Sequence, residues 1–226
     1  MKITQGILAS LLVLFALTSC VEIIDDISIN NDGSGTVKYT INLSSSKIKI
    51  NSILALDSLD GRRVPKRAEL EENLTEFQKK LDDKTGISNV IIDQDFTNFI
   101  FKFQCDFKSV EALQKALKEI ITDEEQFKNV KAVNHDWLNW DGTKLTRSIP
   151  DFTYEVPSSL KQEDLERLKE GTYTSITRFQ RPVDKFENTS AALSKNKMAV
   201  MIKTTPYLLK DNHDLIENTI FLSPLK

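Results

Sequence analysis

The stretch from Val21 to Leu43 constrains the fold more than any other part of this chain. Val21 to Asn30 and Thr36 to Leu43 flank Asn31-Asp32-Gly33-Ser34-Gly35, with apolar residues alternating at Ile27 and Ile29 and again at Val37, Tyr39, Ile41 and Leu43. A period of two commits one face of a strand to the core. The Asn-Asp-Gly run supplies residues that tolerate φ > 0, so the stretch is predicted to be a hairpin with one buried face.

The pattern then switches from strand to helix and back. Ser44 to Lys49 is polar and initiates a helix predicted to run to Leu59, where Asp60-Gly61-Arg62-Arg63 breaks it. After Pro65, Leu70, Leu74, Phe77 and Leu81 recur at helical spacing, with Gly86 just beyond the end. Ile87 to Asp93 and Phe96 to Phe107 read as a second hairpin, and Ser109 caps a helix striped by Val110, Leu113, Leu117 and Ile120. Strand, strand, helix, strand, strand, helix predicts an α+β fold, an antiparallel sheet with helices packed on one face.

A strand-rich C-terminal part follows this ββαββα-like beginning. Val130 to His135, Trp137 to Trp140 and Lys144 to Ile149 are short strand predictions, the last two separated by an Asp141-Gly142 turn. Ser159 with Gln162 forms a capping box for a helix carrying Leu160, Leu165 and Leu168, which Gly171 ends. Tyr173 to Gln180 and Lys197 to Thr204 are predicted strands, Pro206 opens a short helix, and Thr219 to Leu222 closes the sheet.

The first 20 residues belong to a different physical regime. Lys2 supplies a positive start, and Ile7 to Leu17 form an apolar core within the about 7–15 residues of an export signal. The run is short of the roughly 20 apolar residues that span a bilayer. Leu17-Thr18-Ser19-Cys20 resembles the lipobox of bacterial lipoproteins, in which a bulky apolar residue and two small ones precede a cysteine. That resemblance implies diacylglycerol on the Cys20 sulfur, cleavage before Cys20 and acylation of the new N-terminus. Two or three chains anchor stably where one holds only marginally. By the sorting rule of Gram-negative lipoproteins, Val21 in place of Asp disfavours inner-membrane retention, so the outer membrane is preferred. The domain reading is therefore a cleaved signal peptide over 1–19 and one α+β envelope domain over 20–226, with a subdivision near 125 left open. The anchor leaves few residues for a tether before the first strand.

Composition narrows the partners. The formal charge of −3 is spread as Lys and Arg among Asp and Glu, which lacks the basic footprint of a nucleic-acid binder. Of two cysteines the lipobox takes one, so Cys105 is a lone thiol, expected to be buried as a small hydrophobe.

Motifs of catalysis and metal binding were weighed against plainer readings. Ser28 to Tyr39 aligns Asn30, Asp32 and Gly33 with a calcium loop, but Ser28 and Tyr39 stand where Asp and Glu are needed. Around Ser34, Asp32 and Thr36 replace the glycines of a hydrolase nucleophile elbow. Asp25-Asp26, Asp82-Asp83 and Glu124-Glu125 are adjacent in sequence, whereas glycosidase carboxylates must face each other across a cleft. No zinc spacing, phosphate loop or nicotinamide fingerprint is present, so no catalytic residue, metal or cofactor is expected. His135-Asp136-Trp137-Leu138-Asn139-Trp140-Asp141 alone has the flavour of a ligand contact, through Trp137, Trp140 and Asp141: a ring face for an apolar surface and polar groups to orient it. The plainer reading is a hairpin whose tryptophans support the core.

Two places carry a likeness over the whole mature chain. One is the lipobox followed by Asp32-Gly33-Ser34-Gly35; the other is Arg181-Pro182-Val183, Asn188, Ala191, Leu193-Ser194 and Leu208-Leu209-Lys210-Asp211-Asn212. With these the chain resembles a family of poorly characterised bacterial envelope lipoproteins, whose pattern implies a strand entering an Arg-Pro step, an Asn turn and a final strand pair. The likeness implies no catalytic residue. The expectation is a non-enzymatic protein held to the membrane through Cys20 that binds a protein, lipid or glycan nearby. The alternative is an envelope hydrolase using carboxylates or Cys105.

Overall fold

A computed structural model describes residues 21–59, 61–123, 135–149 and 168–224. Val130 to Asn134, the Ser159–Gln162 capping box, Cys20 and the signal segment lie outside the described residues. In chain order the elements are β1 (Glu22–Ile29), β2 (Gly35–Asn42), α1 (Lys47–Leu54), β3 (Ser58–Leu59), β4 (Arg62–Arg63), α2 (Arg67–Asp82), β5 (Ile87–Asp95), β6 (Ile100–Phe107) and α3 (Val110–Asp123). Then come β7 (Leu138–Trp140), β8 (Lys144–Arg147), β9 (Thr172–Phe179), β10 (Val183–Phe186), β11 (Ala191–Leu193), β12 (Ala199–Thr204), α4 (Pro206–Asp211) and β13 (Asn218–Leu222).

The predicted α+β class holds, and the described residues form two large sheets where one was expected, beside the two-stranded β3–β4. A seven-stranded sheet runs β11-β12-β9-β1-β2-β6-β5, and a four-stranded sheet runs β10-β13-β8-β7. The strand predicted to close the first sheet, Thr219 to Leu222, lies instead in the second as β13, paired with β8 and β10. Every pair in the large sheet is antiparallel except β1 with β9, which is parallel. That pair joins the two halves of the chain, and a parallel neighbour requires a long crossover, here everything from β2 to β9.

The first hairpin forms where its sequence places it. Gly33 takes φ +84°, Asn30 N–H donates to the Ser34 carbonyl at 2.7 Å, and Asp32 Oδ1 accepts from Ser34 N–H at 3.0 Å. Asp25, Ile27 and Ile29 face inward from β1, opposite Tyr39, Val37 and Gly35 of β2 and Ser175, Thr177 and Phe179 of β9. Strand β6 extends the same rows with Phe103, Cys105 and Phe107.

Both long helices and the second sheet cover this one face. Helix α3 buries Val110, Leu113, Ala116 and Ile120, and its Ser109 cap accepts from Ala112 N–H at 3.2 Å, as the sequence predicts. Helix α2 contributes Leu81, and the second sheet contributes Leu138, Leu145, Val183, Ile220 and Leu222 to the same core. Each large side chain so buried contributes about 1.5–3 kcal/mol. The predicted helix from Ser44 is shorter than expected, a 3₁₀ turn over Ser44–Ser46 and then α1, with Leu59 in the small β3–β4 hairpin.

Candidate functional site

Where the large sheet, α2, α3 and the β7–β8 hairpin meet, the packing leaves a cavity of about 360 Å³. Its walls are apolar: Ile27 from β1, Val37 and Tyr39 from β2, Phe103 from β6, Phe77 from α2 and Leu117 from α3. The Phe77 and Phe103 rings meet edge to face with centroids 6.0 Å apart. Trp137 and Leu138 complete it.

A side chain positions those last two. Gln114 of α3 is buried and reads Leu138 as a strand would: its Nε2 donates to the Leu138 carbonyl at 2.7 Å, and its Oε1 accepts from Leu138 N–H at 2.9 Å. Strand β7 is the edge of the second sheet, so α3 supplies the bonding that a further strand would give.

At one end of the cavity lies a buried polar cluster. Arg147 of β8 reaches across to β1 and donates from Nη1 to Asp25 Oδ1 at 3.0 Å and from Nη2 to Asp25 Oδ2 at 2.8 Å, a bidentate pair. Ser175 Oγ donates to Asp25 Oδ1 at 2.8 Å, and the Tyr173 hydroxyl donates to Oδ2. Arg147 also donates to Ser175 Oγ at 2.6 Å and to the Tyr173 oxygen at 3.2 Å. Its Nε is buried with no hydrogen-bond partner among the described residues.

The electrostatics leave the cluster neutral overall. Burial alone would raise the Asp25 carboxyl; the Arg147 charge and the hydrogen bonds from Arg147, Tyr173 and Ser175 outweigh it and hold the group below the usual carboxylate range. Burial, reinforced by Asp25, pushes the phenols of Tyr39 and Tyr173 upward, so both stay neutral at pH 7 and Tyr173 can donate to Asp25. The cavity therefore offers a guest apolar walls and an end whose charges are already paired. It suits an apolar ligand, and its volume is at the small end of known ligand sites.

The residues singled out from the sequence are separated by the fold. Trp137 reaches the cavity. Trp140 stacks on Phe179 at 6.2 Å, with the Arg181 guanidinium 5.9 Å from its ring, and presses on Gly33, where a Cβ would come within 2.9 Å of Trp140 Cδ1. It thus clamps the first hairpin's turn to the second sheet. Asp141 Oδ1 accepts from Thr143 N–H at 2.9 Å and Lys144 N–H at 2.7 Å and so shapes its own turn. His135 meets Ser148 Oγ at 2.8 Å.

Cys105 is fully buried in the core, and burial, then Asp106, pushes its thiol up to about 12. Among the described residues no three His, Cys, Asp or Glu side chains converge as a metal site, and no helix is long and apolar enough to cross a membrane. Sequence reasoning missed the Asp25–Arg147 pair and Gln114. Asp25 sits on the inward phase of β1 beside Ile27 and Ile29, and a charge in that phase was the available signal.

No protein-family model matches the chain, and no curated protein matches it. Among solved structures, the chain is similar to the folded domain of the Mycobacterium tuberculosis protein LppM, determined by NMR, with 92% of each chain covered, 12% identity and a TM-score of 0.42.

Proposed function

We propose that this chain is a non-enzymatic envelope lipoprotein, anchored through Cys20 and preferring the outer membrane, that holds an apolar lipid-type ligand at the bilayer surface. The observation that carries the ligand reading is the cavity itself: apolar walls, with an ion pair at one end whose charges are already matched. A protein with that interior takes up a single acyl chain or a compact ring system more readily than a sugar. The glycan reading loses support because Trp137, Trp140 and Asp141 do not share one surface.

The hydrolase alternative has less behind it. Cys105 is held as a thiol inside the core, and the two carboxylates at the cavity, Asp25 and Asp26, are committed to Arg147 and Arg178. Support for the anchor comes from Leu17-Thr18-Ser19-Cys20, with Val21 leading directly into β1.

Two experiments test the two halves. Globomycin, or Cys20→Ala, is expected to abolish stable partition into membranes; a variant that still fractionates with membranes refutes the anchor. A brominated single-chain fatty acid added to the protein in vesicles is expected to quench Trp137 saturably, with the response absent in Trp137→Phe. Quenching that is equal in the two proteins refutes the cavity as the binding site.

A further inference from the structure

The large sheet has two unlike ends. At the hairpin end its loops carry Asn31, Asp32, Ser34 and Gln180, and its turn is hydrogen-bonded to itself and to Gln180. The other end is where the chain enters from residue 20. There Val21 lies between two segments: its carbonyl accepts from Thr172 N–H at 2.8 Å, while Glu22, the next residue, pairs with Asn42. Asn42 leads through Leu43, bonded to the Phe99 carbonyl, into α1. On the other side Gly171 is close enough to both Val21 and Pro206 that a Cβ would stand 2.9 Å from the Val21 carbonyl and 3.3 Å from Pro206 Cδ, so α4 starts beside the entry point.

Both flanking helices expose large apolar side chains. Ile48 on α1 is 85% exposed and Leu208 on α4 46%. The segment after α1 adds Leu56 and Leu59, and it ends where α2 begins, with Arg67 over the Phe96 ring of the β5–β6 turn at this same end. The remaining exposed large apolar residues, Ile91, Leu193 and Met201, lie along strands β5, β11 and β12. An isoleucine left in water at the start of a helix is unremarkable alone; paired with Leu208 across the chain entry, and followed by Leu56 and Leu59 on the segment after α1, it makes this the end of the sheet with the most exposed apolar surface.

We infer that this end of the sheet is a docking surface for a phospholipid bilayer, with Ile48 and Leu208 seated in the interfacial layer on either side of Val21. The occupant follows from what precedes Val21: Cys20, which the anchor reading makes the acylated first residue of the mature chain, joined to β1 with no spacer. A tether that short brings whatever surrounds Val21 against the headgroups. Lys47, which donates to Asn98 Oδ1 at 3.4 Å, and Asp95 stand at the same end, so the surface is of mixed charge and apolar contact dominates. This inference shares the anchor reading above and is independent of the cavity.

The full-length, lipid-modified protein carrying Ile48→Cys is labelled with bimane, Cys105 being buried, and reconstituted in phosphatidylethanolamine–phosphatidylglycerol vesicles. Lys195→Cys, in the β11–β12 turn, gives the comparison label. Position 48 is expected to shift to the blue and to be quenched severalfold more than position 195 by lipids nitroxide-labelled near the headgroup, with little change in added salt. A protein that stays with the vesicles while both labels report water overturns the docking surface and leaves the anchor standing. A protein that fails to associate with vesicles overturns both. A blue shift at 48 that grows with protein density and is insensitive to nitroxide lipid makes a second copy the occupant and likewise overturns the inference.

Discussion

The Asp25–Arg147 pair is the clearest place to test the physical account of the fold. Both side chains are nearly out of solvent, at 12% and 13% exposure, and they join β1 of the large sheet to β8 of the small one. Asp25→Asn leaves a buried guanidinium without its counter-charge, and Arg147→Met leaves a buried carboxylate with only two hydroxyls. Each is expected to cost about 3–5 kcal/mol. For a domain of this size that lowers Tm by about 6–20 °C. The double variant Asp25→Asn/Arg147→Met removes both charges while the amide oxygen accepts from one of the Ser175 and Tyr173 hydroxyls and the amide NH2 donates to the other. It is expected to lose only about 1–2 kcal/mol, because burying a pair is costly even when the pair is satisfied. Urea unfolding followed by tryptophan fluorescence closes the cycle. The pH dependence has a definite sign. Folding depresses the Asp25 pKa, so the pair's contribution is fully present above the unfolded value of about 3.9 and is lost as pH falls through the lower folded value. The stability gap between wild type and Asp25→Asn should therefore be flat from pH 5 to 8 and close below about pH 4. Single variants within 1 kcal/mol of wild type, or a double variant as unstable as the two singles summed, refute the reasoning.

Three further expectations follow from single contacts. Gln114→Leu leaves the buried N–H and C=O of Leu138 without partners, at about 1–3 kcal/mol each, and should release the Leu138 amide to fast hydrogen exchange; unchanged protection there rejects the strand-like role. Gly35→Ala places a methyl group against the Ser28 carbonyl and 2.6 Å from Phe107 Cζ, which should lower stability by about 1–3 kcal/mol or more in urea melts, whereas Gly142→Ala meets no neighbouring atom within 4 Å and loses only through its φ of +89°. Cys105 should resist a disulfide reagent at pH 8 in the folded protein and react at once in denaturant; rapid native-state labelling contradicts its burial.

Local signals made much of the first half legible. The period-two run on either side of Asn31–Gly35, the Ser109 cap and the apolar stripe of α3 each act within a few residues and each forms where its pattern places it, while the second hairpin forms with its turn at Phe96–Phe99, later than the Gln94–Asp95 gap its pattern implies. What was not legible depends on distant pairing. Strand β13 has the same short apolar pattern whether it extends the large sheet or builds a second one, and only its partners β8 and β10 decide. Strands β10 and β11, at four and three residues, are too short to show a period. The cavity was half visible. The sequence points to Trp137 as a ligand contact but groups it with Trp140 and Asp141, which are its neighbours along the chain and not in the cavity. An offset of three residues turned Trp140 toward Phe179 and the Gly33 turn.

The same geometry explains why a polar cluster is tolerated beside an apolar cavity. Inward rows of the large sheet are apolar at Ile27 and Ile29 and turn polar at Asp25, one row nearer the chain entry. There Tyr39, Ser175 and Tyr173 flank Asp25, and Arg147 is the cation the second sheet contributes. Without Arg147 that row would be a buried carboxylate among phenols, with no cation to join the two sheets there. With Arg147 the row is neutral and closes one end of the cavity. If the cavity holds the ligand proposed above, a guest chain would meet apolar atoms along its length and a fixed polar end, and the ion pair would set how deep it can enter. Arg147→Met together with Asp25→Asn should accordingly admit a longer brominated chain than wild type, read as a shift in the chain length that quenches Trp137 best. An unchanged preference would assign the depth limit to the apolar walls alone.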